Sequence, residues 1–179
     1  MDIVLALLAF PFALAVVLPL VLIIRLESGG SVFFRQSRVG RYETVFTLVK
    51  LRTMHESTPD IPSHEAVGAM ITPLGRILRK LKLDELPQIW NVLIGEMSFV
   101  GPRPCLETQQ ELIDARRALG VFSVRPGITG LAQVAGVDMS TPQKLAELDH
   151  NYIVTKSIVN DGRIILATLF GRGSGDAIS

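Results

Sequence analysis

From Ile3 to Ile24 no position carries a charged side chain. A run of that length meets the roughly 20 apolar residues a helix needs to cross a bilayer. The start, Met1-Asp2, is not a basic leader, and Arg25-Leu26-Glu27-Ser28 offers no small-residue cleavage site, so the segment is expected to be a retained anchor rather than a signal peptide. Pro11 and Pro19 interrupt the run. Pro19 removes the hydrogen bond to the Ala15 carbonyl and crowds that turn, which kinks or breaks the helix. Composition leaves two outcomes open: a kinked helix that spans, and a helix that re-enters and leaves on the same face. The positive residues from Arg25 onward assign that end to the cytoplasmic side.

The pattern then changes period. Val32-Phe33-Phe34-Arg35-Gln36 and Thr44-Val45-Phe46-Thr47-Leu48-Val49 read as two short strands, joined in a hairpin by the turn-like Arg38-Val39-Gly40-Arg41. Lys50 and Arg52 follow directly, and the stretch Met54 to Ile71, with Pro59 and Pro62 among polar residues, reads as a surface loop. Thr72-Pro73 is a helix start, with Thr as N-cap and Pro at the first helical position. Leu74, Ile77, Leu78 and Leu81 fall on one face of that helix, while Arg76, Arg79, Lys80 and Lys82 take the rest. A basic amphipathic helix of this kind suits an anionic membrane surface, a phosphate-rich pocket or a solvated face over an ordinary core. Pro87 opens a second helical stretch through Ile94. The resulting fold class is α+β and membrane-associated: an anchor over 1–27, a folded domain over 28–170 and a Gly-rich tail over 171–179.

Length and charge narrow this picture. At 179 residues there is room for one modest domain and the anchor. The formal net charge of +1 is unevenly spread, because Arg and Lys crowd the stretches 35 to 52 and 76 to 82. Cys105 is the single cysteine, so no internal disulfide forms, which fits a reducing, cytosolic-side location. His55, His64 and His150 lie far apart in sequence, outside the spacing of a zinc site.

The candidate chemistry lies in Lys82-Leu83-Asp84-Glu85-Leu86-Pro87-Gln88-Ile89-Trp90-Asn91. Asp84 and Glu85 stand beside a helix start, where unpaired N–H groups and the positive dipole end favour anions, so either acid suits a cap. A cap explains one carboxylate; it does not explain two acids enclosed by cations and followed by a stiff arginine loop. Neighbouring helical residues point about 100° apart, so the two carboxylates divide the labour. A carboxylate kept ionised by Arg and Lys can attack phosphorus, and two acids together supply the hard oxygen ligands that Mg2+ prefers. In Gly101-Pro102-Arg103-Pro104 the prolines stiffen the backbone around Arg103, whose fork matches two phosphate oxygens. Arg125-Pro126-Gly127-Ile128-Thr129-Gly130 repeats the style, its glycines admitting either a ligand or a tight turn. A non-enzymatic membrane adaptor, binding anionic lipid through the anchor and the basic helix, is the rival reading.

Taken in order, Val32-Phe33-Phe34-Arg35-Gln36, Val39-Gly40, Lys50-Leu51-Arg52-Thr53-Met54, Leu83-Asp84-Glu85-Leu86-Pro87-Gln88, Gly101-Pro102-Arg103-Pro104 and Arg125-Pro126-Gly127-Ile128-Thr129-Gly130 resemble the bacterial sugar transferase family, the monotopic phosphoglycosyl transferases. The resemblance runs to about Ile165 and is to the minimal catalytic form. It implies transfer of a sugar-1-phosphate from a UDP-sugar to polyprenyl (undecaprenyl) phosphate, with Mg2+, at the cytoplasmic face of a bacterial inner membrane, starting glycan assembly. It makes 28–170 the catalytic domain, Asp84 the nucleophile of a covalent intermediate, and Glu85 its partner in placing the metal. Arg103 would bind a substrate phosphate, with Lys50 and Arg79 on nucleotide or lipid phosphates. It also favours a re-entrant anchor broken at Pro19, surrounded by interfacial helices. The implied partners are the two substrates and membrane lipids, not nucleic acid; a second copy of the chain is left open. Leu18 stands where relatives commonly have Ser, Glu96 where Asp is usual, and Leu131 and Ala135 where Trp and Asn are frequent.

Overall fold

The structure is a computed structural model that describes residues 2–55, 58 and 70–171. Most of the surface loop expected between Met54 and Ile71 and nearly all of the tail expected over 171–179 lie outside the described residues. At the loop's two ends, Met54 and Ile71 pair as an antiparallel bridge. The chain divides into two compact units. Of the described residues, the first comprises 2–36 and those between 47 and 95; the second comprises 37–46 and 96–171. The stretch 28–170 is thus shared between both units, and the anchor joins the first.

In the first unit, α1 (Asp2–Ser28) is helical through both Pro11 and Pro19. It is the one described helix long and apolar enough to cross a membrane, and Leu7, Leu8, Phe12, Leu18, Leu22 and Leu26 on it are exposed. Four of its positions are buried, Ala6, Ala13, Val17 and Ile24, and of these Val17 and Ile24 pack with Leu51 and Leu78. Near its start, Phe10 meets Trp90 at 6.5 Å between ring centroids. Trp90 belongs to α3 (Gln88–Leu93), the second helical stretch expected after Pro87.

The hairpin forms from β1 (Phe33–Val39) and β2 (Val45–Leu51). Its turn lies later than the sequence suggests: Arg38 and Val39 are buried strand residues, and the chain reverses over Gly40 to Thr44, where Gly40 N donates to Thr44 O at 2.8 Å. The reason is tertiary. The Arg38 guanidinium donates to Pro104 O and Val39 N to Cys105 O, each at 2.9 Å, which keeps both residues extended. The displaced turn places Tyr42 and Glu43 at positive φ, a conformation uncommon for residues with side chains. Arg117 holds Glu43 there through two hydrogen bonds of 2.9 and 2.7 Å and keeps its carboxyl below the usual carboxylate range.

The helix start at Thr72-Pro73 is as expected. In α2 (Pro73–Lys80), Thr72 Oγ1 accepts from Gly75 N at 2.9 Å. Thr72→Ala removes this cap and is expected to cost about 1 kcal/mol, measured as a fall of roughly 2–4 °C in Tm. The apolar face of α2 is only partly core: Leu78 is buried and Leu74 packs beside it, whereas Ile77 and Leu81 are exposed.

The second unit departs from the sequence reading in one respect. The two Gly/Pro-rich segments are not separate loops: 101–104 follows directly on β3 (Ser98–Val100) and 125–130 contains β4 (Gly127–Thr129), the strands paired in parallel with Ser98 opposite Gly127 and Val100 opposite Thr129. Of the surrounding helices, α7 (Ile158–Leu169) packs on both strands, α5 (Leu131–Val134) packs on α7 and on α6 (Pro142–Thr155), and α4 (Gln110–Ala118) packs on α6. Tyr152 fastens α6 to this core, its hydroxyl lying within donating distance of both Val100 O, at 3.0 Å, and Asp161 Oδ1, at 2.9 Å. The tightness of the crossing explains Gly127: a Cβ there would lie 2.1 Å from Gly101 N. The room its hydrogen leaves is filled by protein backbone and not by a ligand.

Candidate active site

The first unit gathers four of the five residues singled out in the sequence. Leu83–Glu85 form a single 3-10 turn entered through Lys82, which takes a left-handed conformation at φ 55°. Leu83 and Leu86 anchor this turn against the Val17, Leu51 and Leu78 core. The two acids consequently diverge. Asp84 is buried, only 7% exposed. Glu85 reaches the end of β2, where Lys50 Nζ lies 3.1 Å from its Oε1, with both side chains 14% exposed. At that burial an ion pair is screened less than one on the surface.

The N-cap position of α3 is held by Pro87 and by neither acid. α3 is fixed instead by Asn91, 1% exposed, whose amide donates to Thr47 O at 2.8 Å and accepts from Val49 N at 3.4 Å. Asn91 therefore ties the helix after the acids to the strand that carries Lys50.

Arg79 reaches the same strand end from α2, its Nε donating to Thr53 Oγ1 at 2.9 Å. Thr53 O in turn accepts from Thr72 N at 3.0 Å, so the residues after β2 are clamped to the start of α2. Arg52 donates to Gly29 O, just past α1. The segment Lys50-Leu51-Arg52-Thr53 is thereby tied to α2 through Arg79 and Thr72 N, and to the chain just past α1 through its own Arg52.

Arg103 belongs to the second unit. It is half-buried, while Gly101, Pro102, Pro104, Cys105 and Leu106 around it are buried, and it lines a small pocket with Gly130, Gln133, Asp138 and Asp149. Arg116, 1% exposed, lies directly behind it. The Arg116 Nε and Nη2 donate to Asp149 Oδ2 at 2.9 and 2.7 Å, and Nη1 donates to Arg103 O at 2.9 Å. Burial pushes the Asp149 carboxyl up, against the opposing pull of Arg116. The thiol of Cys105 is likewise raised by burial.

Sequence reasoning does not single out Thr53, Asn91, Arg116 or Asp149. A signal for Arg116 is nonetheless present: it falls at helical spacing from Leu112 and Ile113 on the buried stripe of α4, where an unpaired arginine is not tolerated.

Among the described residues no group of three His, Cys, Asp or Glu side chains stands poised around one metal position. Mg2+ does not require one, since it commonly takes one or two carboxylates and completes its octahedron with water and substrate phosphate. Asp84 and Glu85, consecutive residues of one 3-10 turn, carry carboxylate oxygens of that kind.

The molecule is thus a mixed helix-and-strand protein that carries, in one compact unit, an apolar helix of membrane-crossing length and a paired-acid cluster with cations. The family model for bacterial sugar transferase matches residues 1–172, and the chain belongs to that family. It is 42% identical over 158 residues to the UDP-glucose:undecaprenyl-phosphate glucose-1-phosphate transferase of Caulobacter vibrioides, covering 83% of this chain and 59% of that protein. It is 38% identical over 154 residues to the uncharacterized sugar transferase EpsL of Bacillus subtilis, covering 86% of this chain and 76% of that protein. A third relative is the UDP-N-acetylgalactosamine-undecaprenyl-phosphate N-acetylgalactosaminephosphotransferase of Aeromonas hydrophila, 37% identical over 176 residues, covering 94% of this chain but 42% of that protein. The chain therefore spans less than two thirds of the length of two of these three relatives.

Proposed function

We propose that the chain transfers a sugar-1-phosphate from a UDP-sugar to undecaprenyl phosphate, yielding undecaprenyl diphosphosugar and UMP. The observation that carries this reading is the buried Asp84 beside a Glu85 bridged to Lys50, in a chain whose relatives are named for that reaction. In this reading an Asp84 oxygen attacks the phosphorus that bears the sugar. The bond from that phosphorus to the bridging oxygen breaks and UMP leaves. A phosphate oxygen of the lipid then attacks the same phosphorus and displaces the Asp84 carboxylate, which is regenerated.

The covalent step has a physical rationale. A nucleotide sugar and a lipid phosphate carry like charge, and dividing the transfer lets UMP leave before the second anion arrives. Lys50 and Arg79 supply positive charge at the end of β2, and Arg103 offers a planar fork to phosphate oxygens. Glu85, with Asp84, would hold Mg2+, which when bound neutralises phosphate charge as the leaving oxygen departs.

The same proposal sets α1 in the cytoplasmic membrane. Its exposed apolar side chains, with Ile77, Leu81, Trp90 and Ile94 of the same unit, supply surface that favours lipid over water. A re-entrant path bent at Pro19 would leave both ends of α1 on the cytoplasmic face, with the acids at headgroup height.

The test is a UMP-release assay on the purified chain in undecaprenyl phosphate-containing vesicles with Mg2+, screened across UDP-sugars. At least one donor is expected to release UMP in turnover amounts when the lipid phosphate is present, and no more than one equivalent per chain without it. Without lipid phosphate, the intact mass should increase by one sugar phosphate. Silence across the donors refutes the reaction, and turnover with no mass adduct refutes the covalent step.

A further inference from the structure

The two prolines beside Arg103 deprive this segment of N–H groups, so it cannot be held by ladder pairing alone. Its carbonyls are captured one after another instead. Pro102 O accepts from Gly127 N, Arg103 O from Arg116 Nη1, Pro104 O from Arg38 Nη1 and Cys105 O from Val39 N, each at 2.9 Å. Two of these four donors are the guanidinium groups of buried arginines, Arg116 and Arg38.

Burying an arginine requires a reason. If Arg116 and Asp149 served only to pack α4 against α6, an apolar pair of similar volume would do so as well or better. What an apolar pair lacks is a third donor. The fork of Arg116 spends Nε and Nη2 on Asp149 and thereby aims Nη1 at the Arg103 carbonyl. A planar guanidinium held on one edge by a carboxylate has its opposite donors fixed in direction.

We infer that Arg116, locked by Asp149, is a positioning residue that holds the backbone of Arg103 so that its side chain is preorganised for substrate phosphate. The inference rests on the phosphate-binding reading of Arg103 given above. The Arg116 side chain is nearly sealed from solvent, so it acts through Arg103 rather than on substrate. Preorganisation of this kind lowers the ordering cost of binding, so its loss is read first in substrate affinity.

Two variants separate positioning from packing. The double substitution Arg116→Met with Asp149→Leu removes both charges at similar volume. Arg116→Lys keeps a cation for Asp149 but cannot also reach the Arg103 carbonyl. Both are expected to raise KM for the UDP-sugar in UMP release about tenfold or more while Tm stays within a few degrees of the parent. In an Arg103→Ala background the same substitutions should change KM less than twofold, because the arginine they position is gone.

The outcomes are distinct. Unchanged KM in either folded variant overturns the inference, as does a full additional loss in the Arg103→Ala background. If Arg103→Ala itself leaves KM unchanged, the phosphate-binding reading of Arg103 falls and takes this inference with it. If the double variant does not fold, Arg116→Lys alone decides by the same KM comparison.

Discussion

Asp84→Asn is expected to reduce UMP release by at least about a thousandfold, the scale on which removal of a nucleophile acts, with the intact-mass adduct lost as well. The substitution preserves shape but exchanges one acceptor oxygen for an NH2 donor, leaving a neutral amide that cannot displace UMP from phosphorus. Because Asp84 is buried in a turn anchored by Leu83 and Leu86, the variant should remain folded, with Tm within a few degrees of the parent. The measurement is paired: UMP formed per minute, and mass after incubation with donor alone. Retained turnover together with the adduct would sink the assignment of Asp84 as the nucleophile, while absence of turnover in the parent itself would favour the adaptor reading, in which the acids have no chemical task. Loss of the adduct with turnover intact would instead point to direct attack by the lipid phosphate.

Much of this site is legible in the amino-acid sequence. The uncharged run from Ile3 to Ile24, the Thr72-Pro73 helix start and the helix after Pro87 are local signals, and each produces a helix, although α1 continues through Pro19, where a kink or break is expected. The acidic pair is visible for the same reason, since adjacency in sequence guarantees proximity in space. What is not legible depends on distant partners. Arg38 and Val39 look like a turn until Pro104 and Cys105 are known to bind them. Gly127 looks like part of a loop until Gly101 is placed against it. Lys50 and Glu85 are 35 positions apart, and nothing in either neighbourhood states that they meet at 3.1 Å. Arg79 reads in sequence as one more cation on a basic helix face, and only its tie to Thr53 places it at the end of the Lys50 strand. Local propensity therefore predicts elements well where caps and prolines mark them, while side-chain capture of backbone carbonyls escapes it.

Gly75→Ala is expected to be the most disruptive single-methyl change in the first unit. A Cβ at Gly75 would stand 2.1 Å from Thr53 O, 2.7 Å from its carbonyl carbon and 2.8 Å from its Cα. Backbone rather than a flexible side-chain end blocks the site, so the start of α2 must move away from the strand end. That movement breaks the Thr72 N to Thr53 O bond of 3.0 Å and pulls Arg79 from its 2.9 Å contact with Thr53 Oγ1. Overpacking of this severity costs about 3 kcal/mol, which for a chain of this size is a fall of roughly 6–12 °C in Tm. Gly162→Ala provides the matched control, because it lies within α7 and its Cβ would meet nothing within 4 Å. There the methyl should stabilise by about 0.5–1 kcal/mol through helix propensity. Thermal melts of the two variants, together with UMP release well below the Gly75→Ala melting point, decide the matter. A Gly75→Ala melt equal to the parent's would mean that the strand end yields without cost, and the clamp that carries Lys50 toward Glu85 would lose its structural basis.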